Sequence, residues 1–459
     1  MKVAIVGSGI AGLAAAHTLV RDGAGAVQLT LFEAGNYFGG HTHTVDVTLP
    51  TAQGPVTHGV DTGFLVLNER TYPELIALFK ALEVPLAKSD MSFSVQALRA
   101  DGVRALEWSG TSLNSVFAQR SNLLSPRFMG MLADLLRFNQ LATRLALRLT
   151  TNPDATDSDA GMRQPLGDFL REHRFGKAFC DWYFLPMMAC IWSCPTQQML
   201  EFPVATMVRF CHNHGLLQIS QRPQWWTVAG GARHYVDKII AQLQDKRLNT
   251  AVRQVTRVAG RGEHGSIQIA TDRGQERFDK VIIATHSDQA LALLHAPSAM
   301  EARTLGTIRY QPNRAVLHTD TSVLPTRTSA WAAWNYERAA AQTASTPGDQ
   351  QAQHEQVCLH YLINRLQPLP WTQAVVVSLN SRRPIDERHI LGEFDYAHPV
   401  FDLAAIKAQR QMPWLQGQLN TYFCGAWMGY GFHEDGLKAG VGAARQLLAD
   451  MAQSQRKAA

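Results

Sequence analysis

The sequence predicts an α/β protein, in which a Rossmann-like dinucleotide-binding domain carries an inserted mixed α+β domain. Three observations lead to this class. A short apolar strand from Val3 to Val6 runs into the glycine pattern GSGIAG, after which apolar residues recur at helical spacing. A second strand at residues 27–34 completes a β-α-β unit. Similar strands at residues 278–285 and 421–427 indicate that the dinucleotide-binding domain is discontinuous.

The length of the chain also favours more than one domain. At 459 residues it exceeds what a single hydrophobic core ordinarily organises. We predict that residues 1–70, 220–300 and 415–459 form the dinucleotide-binding domain. The substrate domain is predicted to comprise residues 71–219 and 301–414.

Three segments inside these domains have a distinct pattern. Residues 75–148 are largely helical in pattern, and residues 437–451 predict a final helix. Residues 337–356 are polar and of low complexity, which predicts an exposed loop.

The amino-acid composition indicates a globular protein. Hydrophobic residues make up 46% of the chain and charged residues 18%, which is typical of a globular protein and argues against disorder. No apolar run reaches the ~18 residues of a membrane span. The first strand begins at Val3 and leaves no room for a leader, so we expect a cytoplasmic protein. The net charge of +5 is mild, and no nucleic-acid partner is expected.

The six cysteines are expected to be reduced thiols. Cys190, Cys194 and Cys211 lie near His212 and His214, which leaves a zinc site as an alternative. The spacing contains no CxxC pair, and Cys190 lies in the apolar stretch LPMMACIW. Buried thiols without a metal are therefore the prediction.

The glycine pattern predicts a dinucleotide site. Gly7 allows a tight turn, Gly9 lets a pyrophosphate approach the backbone, and Gly12 lets helix and strand pack closely. The phosphates then lie on the helix N-terminus, whose free N–H groups attract anions. Glu33 ends the second strand, where an acid accepts hydrogen bonds from a ribose. The residues predicted to bind the nucleotide here are Gly7, Gly9, Ile10, Ala11, Gly12, Glu33 and Ala34.

Further glycine-bearing turns follow at intervals along the chain. They lie in FGGHTHT, VDTGFLVLN, VAGGARHYVDKI and YFCGAW, and the apolar strand FDKVIIATH lies among them. In the first of these, Gly39 and Gly40 offer backbone N–H groups to the phosphates of an extended cofactor. The residues predicted to contact the cofactor are Gly40, His41, Thr42, Thr62, Gly63, Val252, Thr285, Gly425, Asp435 and Gly436.

Together these segments resemble the flavin-containing amine oxidase superfamily, whose members include monoamine and polyamine oxidases, protoporphyrinogen oxidase and phytoene desaturases. The resemblance is strong in the cofactor-binding segments and weaker in the substrate domain. It implies an amine oxidase-like fold, bound FAD and an FAD-dependent oxidoreductase. In this pattern the first glycines and the acid hold ADP, while the C-terminal glycine and helix N-terminus hold the ribityl chain and flavin ring.

A nearer resemblance is to a subgroup that shares GGHTHTV, DTGFLVLNERTYP, LPMMACIWS and GYGFHEDG. This subgroup is identified with the flavin desaturase that begins bacterial furan fatty acid synthesis. It implies the removal of two hydrogens from a methyl-branched acyl chain carried on phospholipid. A flavin amine oxidase and a flavin-binding protein without turnover are the alternatives. Amine oxidases usually carry Arg where this chain has His41 and Tyr where it has His433, which argues against amine oxidation.

The segment GFHEDG places three titratable residues just ahead of the final helix. Asp435 is predicted to cap a helix that starts near Gly436 under the flavin ring. His433 is either a core histidine or the base that accepts a proton during desaturation. Glu434 either orients His433 or is itself the base.

Two segments bear on a lipid substrate. The stretch WYFLPMMACIW is either plain core or the lining of an acyl-chain tunnel. The helix from Arg127 to Arg148 also carries Arg137 and Arg144, with Asp134 as its one acidic residue. It is either a solvated helix or a contact with anionic lipid, which would place the protein on the inner face of the membrane.

Overall fold

The computed structural model describes residues 1–98, 104–151, 164–218, 222–259, 265–338 and 356–458. The strands are β1 (Lys2–Val6), β2 (Gln28–Phe32), β3 (Thr44–Thr51), β4 (Gly54–Asp61), β5 (Leu67–Asn68), β6 (Leu86–Ser89), β7 (Phe93–Leu98), β8 (Arg104–Ser109), β9 (Trp225–Val228), β10 (Asp245–Arg247), β11 (Val252–Val258), β12 (Ser266–Thr271), β13 (Gly274–Phe278), β14 (Lys280–Ile283), β15 (Tyr310–His318), β16 (Trp334–Arg338), β17 (Leu359–Leu362), β18 (Val376–Leu379), β19 (Ile390–Pro399) and β20 (Thr421–Phe423).

The helices are α1 (Ile10–Asp22), α2 (Pro73–Ala81), α3 (Leu113–Val116), α4 (Pro126–Thr151), α5 (Leu166–Glu172), α6 (Lys177–Phe179), α7 (Leu185–Trp192), α8 (Thr196–Met199), α9 (Val204–Asn213), α10 (Arg233–Ile240), α11 (Ser287–Leu293), α12 (Ala299–Leu305), α13 (Ile363–Leu366), α14 (Leu403–Gln409), α15 (Met412–Leu415) and α16 (His433–Ala458). A π-helical turn, Cys180–Phe184, precedes α7. Short 3₁₀ turns occupy Arg120–Leu124, Thr328–Ala330, Glu387–His389, Gln418–Asn420 and Ala426–Met428.

A five-stranded parallel sheet, in the order β10-β2-β1-β14-β20, forms the nucleotide-binding part of the molecule. The central strands β1 and β14 are short and mostly apolar and buried, as parallel strands covered on both faces require. They come from the beginning, middle and end of the chain, and the predicted α/β class is confirmed. The domain boundaries drawn from the sequence stay a prediction.

Helices α1 and α16 lie side by side next to this sheet, and small residues set their spacing. A Cβ on Gly436 would lie 2.7 Å from the side chain of Ile10. A Cβ on Gly440 would overlap the carbonyl oxygen of Ala11. The two helices approach closely because neither glycine has a side chain. The glycines therefore bring the start of α16 against the start of α1.

A seven-stranded mixed sheet, in the order β19-β15-β18-β17-β16-β7-β8, forms the second part of the molecule. The largely helical pattern expected at residues 75–148 is wrong in its middle, because β6, β7 and β8 lie there. Strand β7 buries Ser94 and Gln96, which hydrogen-bond Asn335 and Glu337 of β16. Those partners come from distant sequence, so local periodicity could not indicate a buried strand.

The final helix begins earlier than the sequence suggested. It starts at His433 rather than near Gly436, because the carboxylate of Asp435 reaches back and accepts the N–H of Phe432 at 3.0 Å. Asp435 therefore supports the helix from inside its first turn instead of from the cap position. The loop predicted at residues 337–356 lies largely outside the described residues.

No helix in the described ranges combines the length and apolarity that crossing a bilayer requires. Cys190, Cys194 and Cys211 are buried thiols. Burial raises the pKa of both Cys194 and Cys211 to about 12, so both thiols stay protonated.

Candidate cofactor and substrate site

A cavity of about 730 Å³ opens at the carboxyl ends of β1, β2, β14 and β20 and continues toward the seven-stranded sheet. The nucleotide end, as we call it, is lined by residues of the glycine loop, of the β2 and β14 ends and of residues 250–253. The apolar arm is lined by side chains from the inserted part of the chain. The volume lies in the range of cofactor sites, and ligands of open parallel sheets bind at this edge.

The glycine loop leaves open space where a pyrophosphate would approach. Gly7 has a φ of +100°, and a Cβ there would lie 2.8 Å from the carbonyl oxygen of Ala284. A Cβ on Gly12 would overlap the carbonyl oxygen of Gly7. A Cβ on Gly9 would meet no atom within 4 Å, so this position faces the cavity. Helix α1 begins beside it without a side-chain cap, which leaves its first N–H groups for an anion.

Glu33 lies at the nucleotide end, where the sequence predicted it. Its Oε2 accepts the N–H of Ser8 at 2.9 Å, and its Oε1 accepts the N–H of Gly35 at 2.8 Å. The hydroxyl of Ser8 also donates to Oε2. The three bonds fix the carboxylate and leave a lone pair on Oε1 for a ribose hydroxyl. Other predicted residues that line the cavity are Ile10, Ala11, Ala34, His41, Gly63, Val252, Thr285 and Gly425.

Several predicted cofactor residues do not line the cavity but support it. Gly40 has a φ of +58°, and a Cβ there would lie 3.1 Å from the Cα of Gly9. Thr62 hydrogen-bonds the hydroxyl of Tyr396 at 2.7 Å. Thr42 is buried and hydrogen-bonds His433 at 2.8 Å. The three residues hold the cavity wall in place from behind.

His433 lines the cavity and is held on two sides. Its ring stacks on Phe64, with centroids 3.8 Å apart. Its Nε2 lies 2.8 Å from Thr42 Oγ1 and 3.0 Å from the hydroxyl of Tyr235. Burial lowers the pKa of His433 to about 3, so the imidazole is neutral at physiological pH.

The neighbours of His433 point elsewhere. The carboxylate of Glu434 accepts the N–H groups of Glu74 and Leu75 at 3.1 Å and 3.0 Å, which caps helix α2. It also pairs with Lys438 at 3.1 Å, and it does not line the cavity. In the structure Glu434 therefore makes the contacts of a helix cap. Its catalytic role stays a prediction that no contact supports. Neither Asp435 nor Gly436 lines the cavity.

The apolar arm was the part of the site that sequence reasoning largely missed. Of the stretch WYFLPMMACIW, Cys190 and Ile191 line the cavity and Met188 is core. The remaining lining residues come from distant segments that no local pattern joins. The residues that line the arm are Met91, Cys190, Ile191, Ser193, Phe210, His214, Leu216, Trp225, Trp334, Tyr361, Phe432 and His433.

The described residues fit FAD. Open space at Gly9, a fixed acid at Glu33 and an unpartnered buried Nε2 on His41 all lie on one cavity. A cavity that joins a phosphate-binding loop to an apolar chamber suits a dinucleotide whose reactive ring reaches a second domain. These features suit a dinucleotide-dependent oxidoreductase and are compatible with FAD.

Comparison with known families identifies the class more narrowly. Residues 10–363 match the flavin containing amine oxidoreductase family. The chain belongs to this family, and it is an FAD-dependent oxidoreductase. The amine oxidase resemblance drawn from the sequence is thereby confirmed, and the nearer desaturase subgroup stays a prediction. Among curated protein sequences, none matches the chain.

Solved structures of the same fold span nearly the whole chain. A fatty acid isomerase from P. acnes that produces CLA is 16% identical, with a TM-score of 0.61 over 97% of this chain and 98% of that one. A putative protoporphyrinogen oxidase from Exiguobacterium sp. 255-15 is 16% identical, with a TM-score of 0.63 over 98% and 99%. Putrescine oxidase bound to putrescine is 14% identical, with a TM-score of 0.63 over 98% and 99%. At these low sequence identities, the similarity shows a shared fold and nothing about substrate.

Proposed function

We propose that this protein is an FAD-dependent desaturase of lipid acyl chains, and that its substrate is a methyl-branched chain carried on phospholipid. The apolar arm of the cavity is the observation that supports this proposal. Its lining is aromatic, aliphatic or sulfur-containing apart from Ser193 and two histidines. Among the lining residues in the described ranges Glu33 is the one carboxylate, and it belongs to the nucleotide end. Such an arm suits a long uncharged chain.

Amine oxidation is the alternative within the same family. A diamine entering the arm would bring at least one cationic end into an apolar environment. The described lining offers that charge no carboxylate, and an unpaired buried charge is strongly unfavourable. Aromatic side chains such as Trp334 and Tyr361 would offset part of this through cation–π contact. A neutral acyl chain meets no such penalty.

Desaturation needs an acceptor for hydride and another for a proton. FAD, when bound, accepts the hydride. For the proton we propose His433, the neutral histidine among the residues that line the apolar arm. Nε2 is hydrogen-bonded to the hydroxyls of Thr42 and Tyr235, which can accept its N–H, so Nδ1 is the nitrogen left to take the proton. The pKa of about 3 keeps the imidazole unprotonated at physiological pH, but it also makes His433 a weak base unless the occupied site raises that pKa.

Anaerobic flavin reduction tests the proposal. Purified holoprotein is mixed with a methyl-branched phospholipid, with its straight-chain analogue, and with putrescine, and the flavin absorbance near 450 nm is followed. We expect bleaching by the branched lipid and a new double bond in the recovered lipid. Bleaching by putrescine alone would establish amine oxidation. Absence of bleaching by every candidate would favour a flavin protein without turnover.

A lipid substrate also needs a surface that meets the bilayer. We assign this role to a basic-apolar surface on α3, the 3₁₀ turn at Arg120–Leu124 and α4. Leu124 is 89% exposed and Leu113 is 81% exposed, which is unusual for leucine. The exposed side chains of this surface are Leu113, Leu123, Leu124, Met129, Leu136, Leu147, Arg127 and Arg144. Apolar residues beside arginines suit an anionic lipid surface.

Arg137 does not belong to this surface, although the sequence grouped it there. Its guanidinium donates to the carbonyl oxygens of His173 and Arg174 at 3.0 Å each, pairs with Asp134 and lies over the ring of Phe175. These contacts tie α4 to the segment between α5 and α6. Its reversal would therefore disturb packing as well as charge.

Vesicle co-sedimentation tests the basic-apolar surface. The variant Arg127→Glu/Arg144→Glu should bind anionic vesicles less well than the parent, most clearly at low salt. Leu113→Ser/Leu124→Ser should reduce binding at every salt concentration, because the apolar contribution is not screened. The charge-matched control is Arg303→Glu/Lys407→Glu on the exposed faces of α12 and α14. Equal binding by all four proteins would exclude this surface.

A further inference from the structure

Three histidines line the nucleotide end of the cavity. Ring centroids of His286 and His398 lie 6.1 Å and 5.3 Å from that of His41. The turn that carries His41 is fixed to the glycine loop, because the N–H of Gly39 donates to the carbonyl of Ser8 at 3.1 Å. The histidines therefore share one wall of the cavity with the N-terminus of α1, which attracts anions.

The hydrogen bonds of two of these histidines distinguish their roles. The side-chain nitrogen of Asn313 is only a donor, so its N–H is donated to Nδ1 of His398 at 2.9 Å. Nδ1 of His398 therefore cannot gain a proton without losing that bond. His41 hydrogen-bonds the backbone of Ala397. Its Nε2 is buried and has no partner among the described residues. Nε2 of His41 can therefore accept a proton without losing a hydrogen bond.

The nucleotide end offers little fixed positive charge to an anion. Arg253 is the one lysine or arginine among the described lining residues, and Asp272 pairs with it at 2.7 Å. Burial, with the nearby His398, His286 and His433, lowers the pKa of His41 well below its ordinary value. The other titratable groups that contact the three rings or line this end are His433, Tyr310, Tyr396, Glu33, Arg253 and Asp288.

We propose that His41 takes up one proton at Nε2 when the diphosphate of FAD binds, and that the resulting imidazolium offsets part of the diphosphate charge. The proton comes from solvent, and no covalent bond of protein or cofactor breaks. A nearby anion favours the charged form of a histidine, which reverses the effect of burial. This inference depends on FAD and is independent of the substrate proposed above, so either can fail alone.

FAD affinity then depends on pH with a defined sign. Binding that takes up a proton weakens as pH rises, between the pKa of His41 in the free protein and its higher pKa in the complex. Over that range the Kd rises by up to about tenfold per pH unit, as linkage of one proton requires. Above the higher pKa the Kd levels off.

Two measurements on the wild-type protein test this directly. Fluorescence of FAD released from diluted holoprotein gives the Kd from pH 5.5 to 8.5. Titration calorimetry of FAD into apoprotein, in two buffers of different ionisation enthalpy, counts the protons taken up. We expect a Kd that rises with pH and an uptake approaching one proton near pH 6.5. A flat Kd with no proton uptake would overturn the proposal and leave three neutral hydrogen-bond partners.

Variants assign the proton to its residue. His41→Arg should keep FAD bound with a flat pH dependence, because guanidinium is charged throughout this range. His41→Gln should bind FAD about tenfold or more weakly at acid pH, also with a flat dependence. His17→Gln, on α1 outside the cavity lining, is the matched control and should behave as the parent. A pH slope that survives in His41→Gln would contradict the assignment to His41.

Discussion

Replacing Gly9 by valine separates cofactor binding from folding. The residue has a φ of −64° and a ψ of 175°, an extended conformation that valine adopts without strain. Its Cβ would meet no protein atom within 4 Å. Valine reduces the entropy of the unfolded chain but caps a helix less well than glycine, and each effect is below about 1 kcal/mol. The melting temperature of the apoprotein should therefore change by no more than about 2 °C.

The loss in FAD affinity should be much larger. The valine side chain occupies the open space in front of the α1 N-terminus, where overpacking costs about 1–3 kcal/mol. Displaced phosphates also lose about 1 kcal/mol of interaction with the helix end. Together these amount to about 2–4 kcal/mol, or about 30- to 1,000-fold in Kd.

The assay compares flavin content with apoprotein stability. Absorbance near 450 nm per protein gives the flavin content, and circular dichroism gives the apoprotein melting temperature. Gly12→Ala is the matched control, since its Cβ would overlap the carbonyl oxygen of Gly7 and should destabilise the fold itself. Full flavin content in Gly9→Val would refute the assignment of the glycine loop. A large fall in the melting temperature of the Gly9→Val apoprotein would refute the claim that this position has room for a side chain.

Four further outcomes are expected. His433→Ala should slow flavin reduction by about 10²- to 10⁴-fold at unchanged FAD content, and parent-like reduction would place the base elsewhere. Glu434→Gln should weaken the α2 cap and lower the free energy of unfolding, measured in urea, by about 1–2 kcal/mol. It should slow flavin reduction less than His433→Ala does. Equal slowing by the two variants would identify Glu434 as the base. Burial raises the pKa of Asp61 from 3.8 to about 7, so the folded protein holds this proton more tightly than the unfolded chain. The stability contributed by the protonated carboxyl group is present below about pH 4 and is lost as pH rises toward 7. The urea midpoint of Asp61→Asn should therefore depend less on pH than that of the parent. The same pH dependence in both proteins would argue against a raised pKa for Asp61. Acid precipitation should release all FAD into the supernatant, since Cys424 is a buried, protonated thiol; a yellow pellet would indicate a covalent bond.

The cofactor half of the molecule was predictable because its sequence pattern encodes backbone geometry directly. The positive φ of Gly7 and the overlap that forbids a side chain at Gly12 are local requirements that only glycine meets. The strand and helix periods around them need no distant partner. Fold class, FAD and the oxidoreductase class followed from these features and from the resemblance, and they are confirmed.

The substrate half was less predictable because its contacts join distant segments. Trp334 and Tyr361, which both line the arm, pack against each other from neighbouring strands. Glu434 was interpreted as catalytic because its charge stands beside His433, whereas its partners are amides of α2. Arg137 was grouped with a helix that could be either solvated or lipid-facing, yet backbone carbonyls between α5 and α6 hold it. No spacing rule within the sequence indicates such partners.

The close packing of α1 against α16 affects when the protein can acquire its cofactor. The glycine loop at residues 7–12 is synthesised long before β20 and the helix that meets α1 through Gly436 and Gly440. At about 5–20 residues per second, the ribosome needs tens of seconds to connect the two. Contacts of such long range also form slowly. The complete FAD site therefore forms only once α16 has been synthesised, so we expect full cofactor binding after that stage.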